Sequence, residues 1–323
     1  MMVTIPGQTP EAYLPKEDAG DGNQSGGQRA ATEENTGRRR NLSYPPAPEP
    51  LPHPVVDNHT HLDLRDGNIN LSYQSALDTA EAVGVPGVIT IGYDLGSSER
   101  AVQACYIEPR IRAAVALHPN EAPHRVADGS FDEVFAKITM LAADERVVAV
   151  GETGLDYFRT GEEGIQAQKD SFQAHLKLAH QLGKPVQIHD RDAHADVVAE
   201  LEKARAGGYL PQKVVFHCFS GDEDLATICN REGWYMSFSG TVSFKNSKDI
   251  QAGLRVADPQ LILAETDAPY LTPHPYRGRP NASYLMPNTL RFMAEHLETD
   301  LGQLCRQIQA NTDRVYGRWL LSI

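Results

Sequence analysis

Cysteine is scarce in this sequence: the 323 residues include four, and no two have the CxxC spacing of a redox or zinc motif. Scattered cysteines argue against a disulfide framework and against a cysteine-rich zinc site. Positive charge is also scarce, because 30 Lys and Arg stand against 43 Asp and Glu, for a formal net charge of -13. This balance argues against a broad basic face for nucleic acid, although metal ions and a few arginines can still hold such a substrate locally.

Long apolar runs are absent as well. Residues 1–20 lack the apolar core of a secretion signal, and no later stretch approaches the length of a membrane span. We therefore expect a cytoplasmic protein without a membrane partner. Neither a GxGxxG motif after the first strand-like run nor a Walker loop is present, which disfavours a nucleotide-binding open sheet.

The first 53 residues differ in composition from the rest of the chain. The stretch GDGNQSGGQRAATEENTGRRRNLSYPPAPEPLPHP is rich in Gly, Ser, Gln, Pro and charged residues, and poor in large apolar ones. Such a segment buries too little apolar surface to offset the entropy lost on ordering. We predict a disordered N-terminal tail over residues 1–53, in which the basic cluster GRRR at 37–40 is solvated.

From residue 54 to residue 320 the chain alternates between strand-like and helix-like stretches. Eight short β-rich apolar runs lie at 54–59, 87–92, 111–118, 146–152, 185–189, 213–218, 234–240 and 261–267. The stretches between them have helical periodicity, and residues 162–183 end in a glycine placed as a C-cap. Eight strand–helix pairs predict one (β/α)8 TIM barrel, with a doubly wound open sheet as the alternative.

Histidines and carboxylates stand at the C-terminal ends of six of these runs. They are His59, His61, His118, Glu152, His189, His217 and Asp267. Strand side chains alternate with a period of two, so His59 and His61 leave the same side of the chain. In a TIM barrel the strand ends converge on one face, where active sites are built. Seven such side chains on one face predict a metal site rather than core packing.

This set of side chains is too large for one tetrahedral ion. We therefore predict two divalent ions about 3.5–4 Å apart, bridged by a carboxylate. Glu152 is the candidate bridge, because its strand lies opposite the one that carries the two histidines. Zinc, magnesium, manganese and nickel are the candidate ions. A hydroxide between the ions would be the nucleophile, and Asp267 can both ligate one ion and accept a proton from the water.

Seven ordered motifs resemble those of a known family. VVDNHTHLD, ALHP, VGETGLDY, QIHDRDA, VFHCFSG, LAETDAPYLTP with RGRPN, and NTDRVYG resemble the motifs of TatD-family metal-dependent hydrolases, within the amidohydrolase-like barrels. The resemblance covers residues 55–317 and leaves the N-terminal tail without a counterpart. It implies a deoxyribonuclease that cleaves phosphodiester bonds, often as a 3′–5′ exonuclease on single-stranded DNA or RNA.

The resemblance also implies roles for individual residues. One ion would be held by His59, His61, Glu152 and Asp267, and the second by His189, His217 and the same Glu152. His118 matches a histidine that contacts substrate phosphate or supports the site rather than binding metal. Amidohydrolases with a carboxylated lysine on strand four have Lys where this chain has Glu152, which disfavours the phosphotriesterase and dihydroorotase functions.

Several neighbouring side chains have two interpretations. Arg191, Arg277 and Arg279 are candidate phosphate ligands, because arginine forks match phosphate geometry, but surface ion pairs or loop-bracing contacts to carbonyls also explain them. Asp156 either orients a ligand or caps the following turn, and Cys218 is predicted to point away from the metals. The histidines predicted not to bind metal are His175, His180, His194, His274 and His296.

Three functions remain open at this point. The first is hydrolysis of phosphodiester bonds at nucleic-acid ends, and the second is hydrolysis of an acyl ester or amide such as D-aminoacyl-tRNA. The third is a metal-binding protein whose tail recruits a partner and whose catalysis is incidental. Complete ligand sets and a proton acceptor favour the two enzymes. The sequence specifies no oligomeric state.

Overall fold

The structure is a computed structural model that describes residues 4–15, 26–32 and 37–318. Its strands within these residues are β1 (Gly27–Gln28), β2 (Asp57–Thr60), β3 (Leu64–Arg65), β4 (Val88–Gly92), β5 (Ile111–Val115), β6 (Val147–Asp156), β7 (Val186–Arg191), β8 (Val214–Phe216), β9 (Tyr235–Phe238) and β10 (Ile262–Ala264). Its helices are α1 (Tyr73–Glu81), α2 (Leu95–Ile107), α3 (Ala122–Ala127), α4 (Phe131–Ala142), α5 (Glu162–Leu182), α6 (His194–Ala206), α7 (Glu223–Glu232), α8 (Lys248–Val256), α9 (Met286–His296) and α10 (Leu301–Tyr316).

Eight of the strands in the described part of the chain form one parallel sheet. Their order is β2, β4, β5, β6, β7, β8, β9, β10, so neighbours in sequence are neighbours in space. A parallel bridge joins Thr60 to Ala268, and the His61 N–H donates to the Ala268 carbonyl at 2.7 Å. The last strand therefore meets the first, and the predicted TIM barrel is confirmed over the open sheet.

Capping residues set the ends of several helices. The Asp94 side chain accepts from the Ser97 N–H at 2.6 Å at the start of α2. Helix α5 ends at Gly183, whose φ of 62° is a left-handed conformation that glycine adopts without steric cost. The predicted C-cap is therefore confirmed. Among the helices of the described residues, none is both long and apolar enough to cross a membrane.

The barrel has an inner core and an outer core. Ile89, Ile91, Val215 and Leu263 fill the barrel interior, together with Tyr316 at the end of α10. A larger core lies between the strands and the surrounding helices. Alternation along β7 separates the two: Val186 and Ile188 belong to the outer core, whereas Gln187 and His189 contact residues of other strands inside the barrel. The same alternation directs the polar side chains of the strand ends toward the barrel mouth.

The described parts of the predicted tail pack against the barrel. Strand β1 pairs in parallel with β3, shortly after His61. The rings of Tyr13 and Tyr44 are buried, with centroids 4.8 Å apart, and the Tyr284 hydroxyl donates to the Pro45 carbonyl at 2.6 Å. The prediction of disorder is therefore corrected for residues 4–15, 26–32 and 37–53. The other residues of the predicted tail lie outside the described residues.

A buried ion pair gives the physical reason for this correction. Arg40, predicted to be solvated, is buried and donates from Nη1 and Nη2 to the two carboxylate oxygens of Asp66, at 3.0 and 2.6 Å. Arg29 adds a third donor at 3.3 Å. The tail is poor in apolar residues, but its binding partners lie on the barrel, so its composition alone does not show what offsets the ordering entropy.

Candidate metal centre

The barrel mouth brings together all seven side chains predicted from the strand ends. Each lies in a strand of the parallel sheet or shortly after the end of one. The histidines approach two carboxylates, that of Glu152 in the C-terminal half of β6 and that of Asp267. Glu152 is buried, and its carboxylate lies at the centre of the cluster. The gathering of the predicted residues is a property of the fold, because parallel strands all end at the same face of a barrel.

The two oxygens of Glu152 face two different groups of histidines. Its Oε2 lies 3.6 Å from Nε2 of His59 and 4.0 Å from Nε2 of His61. Its Oε1 lies 2.6 Å from Nδ1 of His189, 2.8 Å from Nε2 of His217 and 3.4 Å from Nε2 of His118. One carboxylate therefore reaches two sets of imidazole nitrogens, one through each oxygen. The two sets are in contact, because the rings of His59 and His217 stack with centroids 3.9 Å apart.

Asp267 completes the side of the cluster that holds the first two histidines. Its Oδ1 lies 3.4 Å from Nε2 of His61 and 3.6 Å from Nε2 of His59. The backbone of Asp267 has a φ of 55°, a left-handed conformation that costs energy for a residue with a side chain, and its N–H donates to the His59 carbonyl at 2.9 Å. The strained backbone directs this carboxylate into the mouth.

The electrostatics of the cluster keep both carboxylates ionised. Burial acts to raise the pKa of Glu152, but the surrounding imidazoles, His217 and His118 first, hold that pKa well below its ordinary value. The pKa of Asp267 is likewise lowered despite burial, by the hydrogen bond from His61 and the neighbouring imidazole charges. The same contacts raise the pKa of His217, His189 and His61. A divalent cation suits such a site, because it can replace the imidazole protons beside the ionised carboxylates.

The residues present fit metal ions. Nε2 of His59 is buried and has no hydrogen-bond partner within the described residues, yet it points at two carboxylate oxygens. Three groups of side chains have ligand atoms close enough to share an ion: His59 with His217 and Asp267; His59 with His61 and Glu152; and His118 with Glu152 and His189. A buried nitrogen without a partner is costly unless a ligand satisfies it, so the cluster is able to hold metal ions.

Sequence reasoning did not identify Gln187, which orients His59. The Gln187 amide nitrogen donates to the Asn58 carbonyl at 3.0 Å and to the Tyr316 hydroxyl at 2.8 Å. Both amide hydrogens are then used, so Oε1 faces Nδ1 of His59 at 3.1 Å as an acceptor. Nδ1 of His59 must carry its proton, and Nε2 is left free for a metal ion. The available signal was position: Gln187 lies two residues before His189, on the same side of β7.

Gln187→Met should weaken metal binding by about 10–100-fold, the usual cost of removing the hydrogen bond that orients a ligating histidine. A competition titration against a chromogenic chelator measures the affinity. Gln251→Met is the matched control, because Gln251 is also buried and donates to two carbonyls, those of Val242 and Phe244, on the α8 side of the barrel. If both variants bind metal as the unsubstituted protein does, Gln187 does not orient His59.

Two further carboxylates hold the other histidines. Glu265 Oε1 lies 3.2 Å from Nδ1 of His217 and accepts from the Cys218 N–H at 2.8 Å. Asp156 Oδ2 lies 3.2 Å from Nε2 of His189, while its Oδ1 accepts from the Arg159 N–H at 2.9 Å. Asp156 therefore does both things proposed for it, since it orients a histidine and stabilises the following turn. Glu265 was missed, although it lies two residues before Asp267.

The three candidate arginines lie around the mouth with different partners. The Arg191 guanidinium stacks on the ring of Phe158, 4.0 Å from its centroid. Arg277 lies 4.2 Å from the centroid of Phe244 and donates to Asn246 at 2.9 Å. Arg279 donates to the carbonyls of Ser43 and Tyr44 at 2.8 and 2.7 Å. The guanidinium of Arg279 therefore braces the N-terminal segment, which is the second of its two interpretations.

The histidines predicted not to bind metal are absent from the metal-binding groups of the described residues. His175 is a satisfied core residue: its Nε2 accepts from the Leu117 N–H at 3.1 Å, and burial lowers its pKa to about 4. Cys218 is only partly buried, and its sulfur lies 3.2 Å from the Ser239 hydroxyl.

A parallel barrel whose strand ends present histidines around a shared carboxylate defines a metal-dependent hydrolase of the amidohydrolase-like fold. Residues 56–317 match the family described as "TatD related DNase". The chain belongs to the TatD family.

Individual relatives agree with this assignment. The chain is 39% identical to the uncharacterized metal-dependent hydrolase TatD of Mycobacterium tuberculosis, over 81% of this chain and 98% of that protein. It is 34% identical to the uncharacterized metal-dependent hydrolase YabD of Bacillus subtilis, over 75% and 89% of the two chains. The crystal structure of the Escherichia coli TatD homolog YJJV has the same fold, with a TM-score of 0.72 at 23% identity, covering 82% of this chain and 98% of that one.

Proposed function

We propose that this hydrolase is a nuclease that cleaves phosphodiester bonds at the ends of single-stranded DNA or RNA, in the 3′–5′ direction, with two divalent ions bound at the barrel mouth. The observation that carries the proposal is the division of the histidines between the two oxygens of Glu152. A carboxylate that faces two sets of nitrogen ligands can bridge two ions, and paired ions are a frequent arrangement in enzymes that hydrolyse phosphate esters. The family description names the same class of activity.

The residues divide the work between binding and proton transfer. His59, His61 and Asp267 would hold one ion, His189 and His217 the other, and Glu152 both. When bound, such ions supply a Lewis acid for a phosphoryl oxygen and make a water more acidic. Asp267 is ionised, and its side chain is 14% exposed, so it can accept a proton from a water in the mouth. His118, also partly exposed, faces Glu152 and would contact the substrate phosphate.

Aromatic and arginine side chains around the mouth support a nucleic-acid substrate. Phe158 is 54% exposed and carries the Arg191 guanidinium on its face, at the C-terminal ends of β6 and β7. Exposed aromatic rings beside arginine provide a stacking surface for an unpaired base and a partner for phosphate. The formal net charge of -13 favours a grip on a chain end over a grip along a long polymer, because little counterion release is available.

A substrate panel tests the proposal directly. The metal-loaded protein is incubated with single strands of DNA and RNA labelled at either end, with duplexes, and with D-aminoacyl-tRNA. We expect the single strands to be shortened from the 3′ end. Release of the D-amino acid with intact strands would instead assign the acyl-ester activity. If none of these substrates is turned over, neither the nuclease nor the acyl-ester activity is correct.

Asp267→Asn should lower turnover by about 10²–10⁴-fold, because the amide cannot accept the proton that a positioned carboxylate takes. His118→Ala should weaken substrate binding or lower turnover moderately, with metal content unchanged. Turnover, substrate affinity and metal content are measured on one single-stranded oligonucleotide. Asp258→Asn is the matched control, since Asp258 caps a short helix before β10 and an asparagine can still accept from the Gln260 N–H. Near-normal turnover of Asp267→Asn would assign the proton acceptor elsewhere.

A further inference from the structure

The N-terminal segment reaches the rim of the metal centre, although it precedes the residues that match the family. Strand β1 runs parallel to β3, and its flanking residues hydrogen-bond to the loop after His61: the Gly26 N–H to the Asp63 carbonyl at 3.0 Å and the Arg29 N–H to the Arg65 carbonyl at 2.8 Å. The segment therefore lies along the loop that follows the first pair of metal-ligating histidines.

Arg29 extends from this segment to the loop that follows Asp267. Its Nη1 donates to the Pro269 carbonyl at 2.9 Å, and its guanidinium lies 4.8 Å from the centroid of the Tyr270 ring. The Tyr270 ring meets the ring of His61 edge-on, with centroids 6.2 Å apart. The tyrosine ring thus contacts both Arg29 and a histidine of the barrel mouth.

The charge of Arg29 is only partly balanced. Two guanidinium groups share the single carboxylate of Asp66, and Arg40 takes the closer contacts with both oxygens. Burial first, and then the charge of Arg40, lower the pKa of Arg29. The Arg40 side chain is 2% exposed, whereas that of Arg29 is 26% exposed, and Nε and Nη2 of Arg29 have no hydrogen-bond acceptor within residues 4–15, 26–32 and 37–318.

We propose that Arg29 binds the nucleic-acid substrate. Its guanidinium would contact a phosphate next to the scissile one, at the rim of the barrel mouth. The inference rests on the proposed nuclease function. A phosphate supplies the anion that the Arg29–Arg40–Asp66 group lacks, and the free edge of the guanidinium, Nε with Nη2, has the fork geometry that binds phosphate oxygens. The N-terminal segment is then a part of the substrate cleft that this chain adds to the family's barrel.

Binding and catalysis are measured separately to test this. Binding of a fluorescein-labelled, nuclease-resistant phosphorothioate single strand to the metal-loaded protein is followed by anisotropy. Hydrolysis of bis(4-nitrophenyl) phosphate, which has one phosphodiester and no neighbouring phosphate, reports the metal centre alone. The variants are Arg29→Ala and Arg29→Lys. Arg231→Ala is the control for net charge, because Arg231 is exposed in the last turn of α7, which leads into β9 at the far end of the barrel.

Arg29→Ala should weaken binding of the strand by about tenfold, as expected for one charge-assisted hydrogen bond. The slope of log affinity against log salt should fall by about 0.7, the value for one phosphate contact on a single strand. Arg29→Lys should keep the slope, and Arg231→Ala should bind like the unsubstituted protein. Hydrolysis of the small diester should not change in Arg29→Ala. The thermal midpoint should fall less than in Arg40→Met, because Arg40 keeps the closer contacts with Asp66.

Two results would overturn the role of Arg29. One is equal binding by Arg29→Ala and Arg231→Ala. The other is a loss of small-diester hydrolysis in Arg29→Ala as large as the loss of strand binding, which would make Arg29 a structural residue. A protein that binds the resistant strand through Arg29 but cleaves no unmodified strand would refute the nuclease function and leave this binding site in place. A protein that binds no strand would refute both.

Discussion

Glu152→Gln should release metal from the barrel mouth and lower hydrolysis by at least about a thousandfold, since Lewis-acid stabilisation is worth several kcal/mol and each 1.36 kcal/mol is tenfold in rate. The reason is geometric. Glu152 is the one carboxylate whose two oxygens face both groups of histidines in the described residues. An amide keeps the shape but has no negative charge, and it offers one oxygen in place of two.

Metal content and turnover should fall together in Glu152→Gln. Saturating metal should give two ions per chain in the unsubstituted protein and fewer in Glu152→Gln. Glu108→Gln is the matched control, because Glu108 is also buried but pairs with Arg110 at the end of α2, away from the mouth. Its metal content should be unchanged even where its stability falls. Full occupancy in Glu152→Gln would show that this carboxylate bridges no ions.

Removal of residues 1–50 should destabilise the barrel by about 3–5 kcal/mol, the cost of leaving a buried charge without its partner. Asp66 is fully buried and would lose both Arg29 and Arg40. The deletion would also expose Tyr284, whose ring packs on that of Tyr13 with centroids 4.7 Å apart. The composition of the tail predicts no effect on stability, so this deletion separates the two views.

A point substitution makes the same test without removing the segment. Arg40→Met should lower the free energy of unfolding, measured by urea denaturation, because it takes from Asp66 the closer of its two guanidinium partners. Arg39→Met is the control, since Arg39 is the neighbouring residue, has the same side chain and is exposed. Equal stability of these two variants would mean that the segment does not dock through Arg40.

Local sequence patterns were enough to predict the barrel and the side chains that gather at its mouth. Short apolar runs separated by helical stretches are local patterns, and the period of two along a strand places His59 and His61 on one side without reference to the rest of the chain. Parallel strands end at one face, so His118, Glu152, His189, His217 and Asp267 could be assigned to one site before any distance was known. Gly183 at the end of α5 was likewise a local signal.

How the tail packs and how the histidines are oriented depend instead on contacts between distant parts of the chain. Arg40 meets Asp66, and Tyr13 meets Tyr284, across long separations in sequence, so the energy that orders the tail comes from residues that its own composition does not include. The orientation of His59 depends in the same way on an amide in β7 and a hydroxyl in α10. Local patterns determine which residues reach the mouth, whereas a partner from another strand or helix determines which atom of each residue is free to bind there.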